Sequence, residues 1–139
     1  MTTKEWLMQA RDLDDLINAK LEERDRWFAL ACRVTGNMTP DKVQTSPGNT
    51  SEAAFLKYAA LSEEIDRYVD RLADLKREIT EAIHKVPEKR LQTLLIEYYL
   101  NHKTWEQVAV TMNYGYRQVI RLHGKALLKV KDVIECHID

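Results

Sequence analysis

An uninterrupted apolar repeat limits the folds open to this chain more than any other feature of its sequence. Eight apolar residues alternate at spacings of four and three positions: Leu61, Ile65, Tyr68, Leu72, Leu75, Ile79, Ala82 and Val86. A period of about 3.5 residues is that of the a/d seam of a coiled coil. One helix cannot bury such a seam alone. We therefore predict that it pairs with the first helix in an antiparallel hairpin, with the same helix of a second subunit, or with both.

The residues before this seam predict one long helix and a loop. Thr2 and Glu5 form a capping-box pattern at the start of the helix, which contains no glycine or proline before Gly36. Residues 35–49 hold two of the three prolines and two of the four glycines. This composition predicts a loop that is mobile rather than functional. A second capping signature at residues 49–52 then begins the seam helix.

Three shorter helices are predicted in the rest of the chain, so the fold class is all-α. Pro87 is well placed as the first residue of a third helix over residues 87–100. A capping box at residues 104–107 begins a short fourth helix, and the fifth covers residues 116–136. Its buried side is predicted to contain Val119, Leu122, Ala126, Leu127, Val130 and Val133/Ile134.

Charge separates the chain into two halves that the net charge of −1 conceals. Residues 1–84 hold 12 basic and 16 acidic residues, whereas residues 85–139 hold 9 basic and 6 acidic residues. We predict two domains on this basis. Residues 1–86 form a helical hairpin, or coiled-coil arm, that makes a homodimer or higher oligomer. Residues 87–139 form a basic domain at the C-terminus.

The spacing of the fourth and fifth helices is typical of a helix-turn-helix. In that motif the N-terminus of the second helix enters the major groove, where long donor side chains meet acceptors on the base edges. The residues predicted to contact DNA are Tyr114, Tyr116, Arg117, Gln118, Arg121 and Lys125, and those predicted to contact phosphate are Lys103, Thr104, Trp105 and Lys129. A plain three-helix bundle with a solvated basic face has the same spacing, so spacing alone leaves both interpretations open.

Two stretches of this domain resemble region 4 of the sigma-70 family. Residues 104–109 (TWEQVA) are similar to its T-x-E-E-I-A/G opening, and residues 119–130 (VIRLHGKALLKV) to its I-R-Q-I-x-x-K-A-L-x-K-L ending. Without a gap, the resemblance covers about residues 87–131, a third of the chain. More narrowly, the run RLHGKAL and the helical N-terminal extension resemble small phage and prophage proteins, including late transcription regulators of the ArpU and RinA types.

The resemblance implies control of transcription through promoter DNA, RNA polymerase or both. Region 4 begins its recognition helix with arginines and acids that read the −35 element. Here the equivalent residues are Gly115, Tyr116, Arg117 and Gln118, so only a basic and polar character carries over. The acidic front half has no clustered aromatic residues for melting a promoter, and we do not expect a full sigma factor.

Other functional classes find little support in the sequence. Neither cysteine lies in a CxxC pair, and the four histidines share no ligand spacing with Cys32 or Cys136, so we expect no metal site and no cofactor. No nucleophile elbow, P-loop or dinucleotide fingerprint is present, and we expect no enzyme activity. No apolar run is long enough to span a bilayer, and the N-terminal residues are too acidic and polar for a signal peptide. We expect a cytoplasmic protein of a bacterial host, encoded by a phage or prophage.

The sequence therefore predicts a transcription regulator that binds double-stranded DNA through its C-terminal helix-turn-helix. The alternative is an interaction module without DNA affinity, which contacts RNA polymerase, a sigma factor or a DNA-packaging assembly.

Overall fold

The computed structural model describes residues 1–36 and 47–138, and its side chains over residues 1–33 and 50–136. Five α-helices and no strand occur in these residues, as the predicted all-α class requires. The helices are α1 (Thr3–Gly36), α2 (Pro47–His84), α3 (Lys89–Leu95), α4 (Trp105–Met112) and α5 (Tyr116–Ile138). A π-helical turn, Ile96–Leu100, continues α3. The capping box at the start of α1 is confirmed, because the Glu5 amide donates to Thr2 Oγ1 (3.1 Å) and the Thr2 amide to Glu5 Oε2 (3.0 Å).

The chain divides into two compact units, one of residues Asp14–Arg71 and the other of Met1–Leu13 with Leu72–Asp139. The predicted domain boundary at residue 86 does not coincide with this division. The reason is that the first turns of α1 pack with the C-terminal helices, as the Arg11 guanidinium donating to the Tyr98 carbonyl (3.1 Å) illustrates.

Within the unit Asp14–Arg71, α1 and α2 run antiparallel. Three contacts join them: Lys20 Nζ with Glu64 Oε1 (3.0 Å), the Phe28 ring with the Tyr58 ring (centroids 5.4 Å), and the Ser51 hydroxyl with the Ala31 carbonyl (3.3 Å). Residues nearer the C-terminus of α1 contact residues nearer the N-terminus of α2, as expected for antiparallel helices. The first helix of the same chain is therefore one partner of the apolar seam, and pairing with a second subunit remains a prediction.

The seam itself is buried at seven of its eight positions, while Tyr68 is half-buried. The Lys20 ammonium lies 5.7 Å from the centroid of the Tyr68 ring. The Tyr68 hydroxyl is hydrogen-bonded to Glu64, so this half-buried tyrosine keeps its ring on the apolar stripe and its polar end beside a charged pair.

The loop predicted over residues 35–49 is replaced by helix at both of its ends. Residues 35–36 belong to α1 and residues 47–49 to α2, while residues 37–46 lie outside the described part of the chain. Pro47 fits the first turn of α2 because the amide it lacks has no partner there. The capping signature predicted at residues 49–52 does not begin α2, because the helix already starts at Pro47. Ser51 lies a turn inside the helix, and its hydroxyl donates to the Ala31 carbonyl of α1.

The predicted third helix, 87–100, is divided in the structure. Glu88 has extended backbone angles (φ −93°, ψ 122°) and is the N-cap of α3, so Pro87 precedes the helix rather than beginning it. At the other end the chain widens into the π-helical turn, which closes with the Asn101 amide bonded to the Ile96 carbonyl (2.9 Å). Two adjacent tyrosines within this turn, Tyr98 and Tyr99, then contact different neighbours.

The C-terminal helices enclose an apolar core. Its fully buried members are Leu91, Leu94, Leu95, Tyr99, Val108, Val119, Ala126 and Val130, with Ala109 and Leu122 nearly so. Three residues predicted on the buried side of α5 are only half-buried: Leu127, Val133 and Ile134. These three lie at the margins of the apolar face, because α5 packs mainly against α3 and α4.

Asn113 reverses the chain between α4 and α5, and its replacement gives a first testable prediction. Its backbone is left-handed (φ 59°, ψ 38°), and the next amide, that of Tyr114, bonds to the Ala109 carbonyl (3.0 Å). Asparagine adopts the left-handed region more readily than alanine does, and glycine adopts it most readily of all. We expect Asn113→Ala to lower the free energy of unfolding by about 1 kcal/mol, measured by urea denaturation. Asn113→Gly is the control and should unfold at the wild-type midpoint or above it. Equal loss in both variants would contradict the backbone explanation.

Candidate nucleic-acid interface

The N-terminus of α4 is fixed by the predicted capping box. The Gln107 amide donates to Thr104 Oγ1 (3.2 Å), and the Thr104 amide donates to Gln107 Oε1 (2.9 Å). Both partners therefore hold the helix start in one geometry. Because the Thr104 hydroxyl already accepts a backbone hydrogen bond, only its own proton and a second lone pair are left for a phosphate.

The first turns of α5 present most of the residues predicted to contact DNA. Tyr116, Arg117, Gln118, Arg121 and Lys125 are exposed, whereas Tyr114 is half-buried. At 3.6 residues per turn, Arg117 and Arg121 lie near the middle of the outward face, opposite Val119 and Ala126 in the core. The structure therefore brings these side chains together on one accessible surface.

The predicted cations differ in their partners. Arg117 and Arg121 form no ion pair with any residue that the structure describes, and the same holds for half-buried Lys129. By contrast, Lys125 Nζ lies 3.6 Å from Glu88 Oε1, and Lys103 pairs with Glu97. The two arginines thus keep their full charge for an external anion, and the two lysines share theirs with a carboxylate.

Glu88 makes the pairing of Lys125 part of a small network. Its other oxygen accepts from Arg90 Nε (3.2 Å). The hydrogen bond from Arg90, followed by the charge of Lys125, lowers the pKa of Glu88. This carboxylate is therefore ionised near neutral pH and remains a competitor of phosphate for Lys125.

Trp105, predicted as a phosphate contact, packs against other aromatic rings. It stacks on Tyr98 with ring centroids 3.8 Å apart and planes 7° from parallel, and its centroid lies 4.4 Å from that of His123. On the Tyr98 ring lies the Arg11 guanidinium, 4.4 Å from the centroid. The geometry gives Trp105 a packing role, and phosphate contact at this residue stays a prediction.

A buried polar pair holds α5 on the π-helical turn. Tyr99 Oη and His123 Nε2 are 2.6 Å apart, and Tyr99 is fully buried while His123 is 9% exposed. Burial raises the pKa of Tyr99. Burial, and to a lesser extent the charge of Lys4, lowers the pKa of His123 to about 4. Both side chains are therefore neutral near pH 7 and share one hydrogen bond, which fixes the helix that carries Arg121.

Sequence reasoning missed Arg11, Tyr99 and the role of His123. One available signal was helical phase, because His123 falls on the same side of α5 as the buried Val119 and Val130. No local signal pointed to Arg11, whose guanidinium bonds to a carbonyl 87 positions away. It also lies 3.5 Å from the Lys103 carbonyl.

Further features of the described residues bear on other kinds of site. No three His, Cys, Asp or Glu side chains in this part of the chain are grouped as a metal would need. Cys32 and Cys136 are both exposed and unpaired. A search of the helices in the same residues finds none long and apolar enough to cross a membrane.

The geometry of α4 and α5 is thus the main guide to function. Comparison of the chain with protein-family models, with curated proteins and with solved structures finds no match.

Proposed function

We propose that this protein is a phage-type transcription regulator that binds double-stranded DNA through a helix-turn-helix made of α4, residues 113–115 and α5. One observation carries the proposal. Arg117, Gln118 and Arg121 are exposed together on the first two turns of α5, and both arginines lack an ionic partner among the described residues. Arginine is suited to guanine O6 and N7, and glutamine to adenine N6 and N7.

The N-terminus of α5 adds a second means of holding DNA. The Val119 amide bonds to the Gly115 carbonyl (3.1 Å), so the amides of residues 116–118 have no partner inside the helix. A Cβ at Gly115 would meet nothing within 4 Å, and this end of the helix is therefore open. Partly positive amides at a helix start bind phosphate oxygens. Phosphate contact there would place Arg117 and Arg121 along the groove.

The three lysines of the predicted interface should contribute unequally to phosphate contacts. Lys129 forms no ion pair with any described residue, so its charge is available to a phosphate. Lys103 and Lys125 have Glu97 and Glu88 as partners, and a phosphate must displace or tolerate those carboxylates. We therefore assign the larger share of the phosphate contacts to Lys129 and to the start of α5.

A second subunit would supply the affinity that one small basic surface lacks. Neutralising only a few phosphates gives weak binding at physiological salt, and a dimer doubles the contacts over two half-sites. We place the oligomer contact on the long helices, where large apolar residues such as Phe28, Phe55 and Leu56 are exposed. The resemblance to region 4 of the sigma-70 family and to ArpU- and RinA-type regulators agrees with this assignment, and it is compatible with a cytoplasmic site of action in a bacterial host.

The alternative function is an interaction module that contacts RNA polymerase or a sigma factor without binding DNA. It is favoured by Val110, which is 78% exposed on α4 beside Gln107 and Thr111. Val110 lines a shallow depression with Gln107 and Thr111, where its apolar side chain offers no donor to a phosphate but can pack against the side chains of a protein partner. The two functions are compatible in one protein, but only the first requires Arg117 and Arg121.

A binding titration tests the proposal and gives the second prediction. We expect Arg117→Ala and Arg121→Ala each to weaken binding to duplex fragments of the native phage or host genome by roughly tenfold. Fluorescence anisotropy at about 50 and 200 mM salt should also show affinity falling steeply with salt. Arg71→Ala is the matched control, because it removes the same charge from an exposed position on α2.

The controls separate local contact from net charge. If Arg71→Ala weakens binding as much as the α5 variants, the effect is one of total charge and the interface is misplaced. Absence of any duplex binding by the wild-type protein at low salt would refute the DNA-binding function. Recovery of RNA polymerase from nuclease-treated host lysate, reduced by Val110→Ser, would then support the alternative.

A further inference from the structure

Gly124 occupies a helical position that the rest of the chain does not explain. It lies in the middle of α5, where glycine is less stable than alanine because it loses more backbone freedom on folding. Its φ is negative, so no left-handed turn requires glycine. A Cβ built on Gly124 would meet no atom within 4 Å, so no close packing within the described chain requires it either.

The residues around Gly124 turn this gap into a notch on the outward face of α5. One turn away on each side stand Ile120, Arg121 and Leu128, all exposed, with Leu128 at 66%. We call Gly124 and these three residues the Gly124 notch. Exposing the large apolar side chains of Ile120 and Leu128 to water is unfavourable. Contact with another molecule on this face would explain both their exposure and the absence of a side chain at Gly124.

We propose that the Gly124 notch is where α5 passes the sugar–phosphate backbone at the edge of the major groove, with the deoxyribose seated against the bare helix. The inference rests on the proposed function and adds Gly124, Ile120 and Leu128 to its interface. Seven residues separate Gly124 from Arg117, which is about 10 Å along the axis. The major groove is about 12 Å wide, roughly the diameter of a helix with its side chains. A helix whose first turn reads bases therefore meets the groove edge near residue 124.

The charges around the notch favour DNA over a second copy of this chain. Arg117 and Arg121 lie on its N-terminal side, while Lys125, which is paired with Glu88, and Lys131 follow on its C-terminal side. The nearest acids along α5, Asp132 and Glu135, lie two to three turns further on. Two such faces brought together would repel through their cations, whereas a phosphate backbone complements them. The Ile120 and Leu128 side chains suit sugar carbons and thymine methyl groups.

Filling the notch with side chains of increasing size tests the inference and gives the third prediction. Gly124→Ala should raise the melting temperature by about 4 °C, because the helix gains propensity without a clash. The same variant should weaken duplex binding about threefold, and Gly124→Leu at least tenfold, since the helix is pushed off the backbone. The probe is a fluorescein-labelled duplex pool of about three helical turns, titrated at low salt. Ala60→Leu is the control, because it places the same leucine side chain at an exposed position on α2.

The outcomes distinguish this inference from the proposed function. Weaker binding by Gly124→Leu, with Ala60→Leu unchanged and a melting temperature no lower than the wild type, supports the notch. If Gly124→Leu binds the duplex like the wild type while Arg117→Ala does not, the notch is overturned and the DNA-binding function stands. If Gly124→Leu keeps its affinity for the duplex but no longer retains RNA polymerase, the face belongs to a protein partner and the DNA assignment of the notch is wrong. No duplex binding by the wild type overturns both.

Discussion

Replacing Tyr99 by alanine is expected to lower the free energy of unfolding by about 4 kcal/mol, the largest single-residue effect that we predict. Deleting a fully buried aromatic side chain removes its apolar contacts and leaves a cavity. It also leaves His123 Nε2 without the hydroxyl that lies 2.6 Å away. Since small domains are stable by roughly 5–15 kcal/mol, the variant should retain only a small margin. Urea denaturation followed by far-UV circular dichroism measures the loss.

Two companion variants divide this loss into packing and hydrogen bonding. Tyr99→Phe keeps the ring and removes the hydroxyl, so it should cost about 1–3 kcal/mol, the penalty of one unsatisfied buried group. Combining it with His123→Leu removes the second polar partner, and we expect the double variant to recover part of that loss. If Tyr99→Phe is as stable as the wild type, the pair contributes no net stability and the expected 4 kcal/mol must come from packing alone.

The expected loss matters for the interface because of where the pair lies. His123 is two residues beyond Arg121 on α5, and Tyr99 belongs to the π-helical turn that follows α3. Their hydrogen bond therefore helps to fix the rotation of α5 about its axis. A rotation by one residue would move Arg117 and Arg121 by about 100° around the helix. Stability and DNA affinity should thus fall together in Tyr99→Phe, while Arg117→Ala should change affinity alone.

Much of the helical structure could be predicted because its causes are local. The seam from Leu61 to Val86 gives its helical period directly, and the hydroxyl and carboxamide of Thr104 and Gln107 cap a helix within four residues. The exposure of Arg117 and Arg121 follows from the same periodicity. These features depend on side chains one turn apart, a distance that sequence spacing determines.

The rest depends on which helix faces which, and spacing along the chain does not determine this. Lys125 meets Glu88 from another helix, and Arg11 meets Tyr98 from the far end of the sequence. The sequence thus identified a basic face but not the carboxylate that shares its charge. The π-helical turn could not be predicted either, because it depends on contacts with other helices. Within this turn, Tyr98 stacks on Trp105 of α4, and Tyr99 is hydrogen-bonded to His123 of α5.

Acidification from pH 7 to pH 5 is expected to destabilise the protein by about 2 kcal/mol through His123. In the unfolded chain this histidine has a pKa near 6.5, whereas burial and the charge of Lys4 hold its pKa at about 4 in the folded protein. Between these values the unfolded chain binds the proton more readily. The contribution of neutral His123 to stability is therefore complete above pH 6.5 and is lost as the pH falls toward 4.

The carboxylates act in a different pH range. Partners lower the pKa of Glu64, mainly through the hydrogen bond from Lys20, and that of Glu88, mainly through Arg90. Their stabilising contribution is present above a pKa of 4.5 and declines only as the pH falls below it. Because both carboxylates are only partly buried, this contribution is small and screened by salt. The loss between pH 7 and pH 5 should therefore come chiefly from His123.

Urea denaturation of the wild type and of His123→Leu at both pH values isolates this effect. The variant loses the hydrogen bond to Tyr99 at either pH, so its absolute stability is lower, but its stability should change little between pH 7 and pH 5. The other three histidines are present in both proteins, and their contribution cancels in the comparison. A difference of about 2 kcal/mol between the two pH dependences is expected. If the variant loses as much stability on acidification as the wild type, His123 is not the group that titrates, and the buried neutral pair with Tyr99 is not what fixes α5 on the π-helical turn.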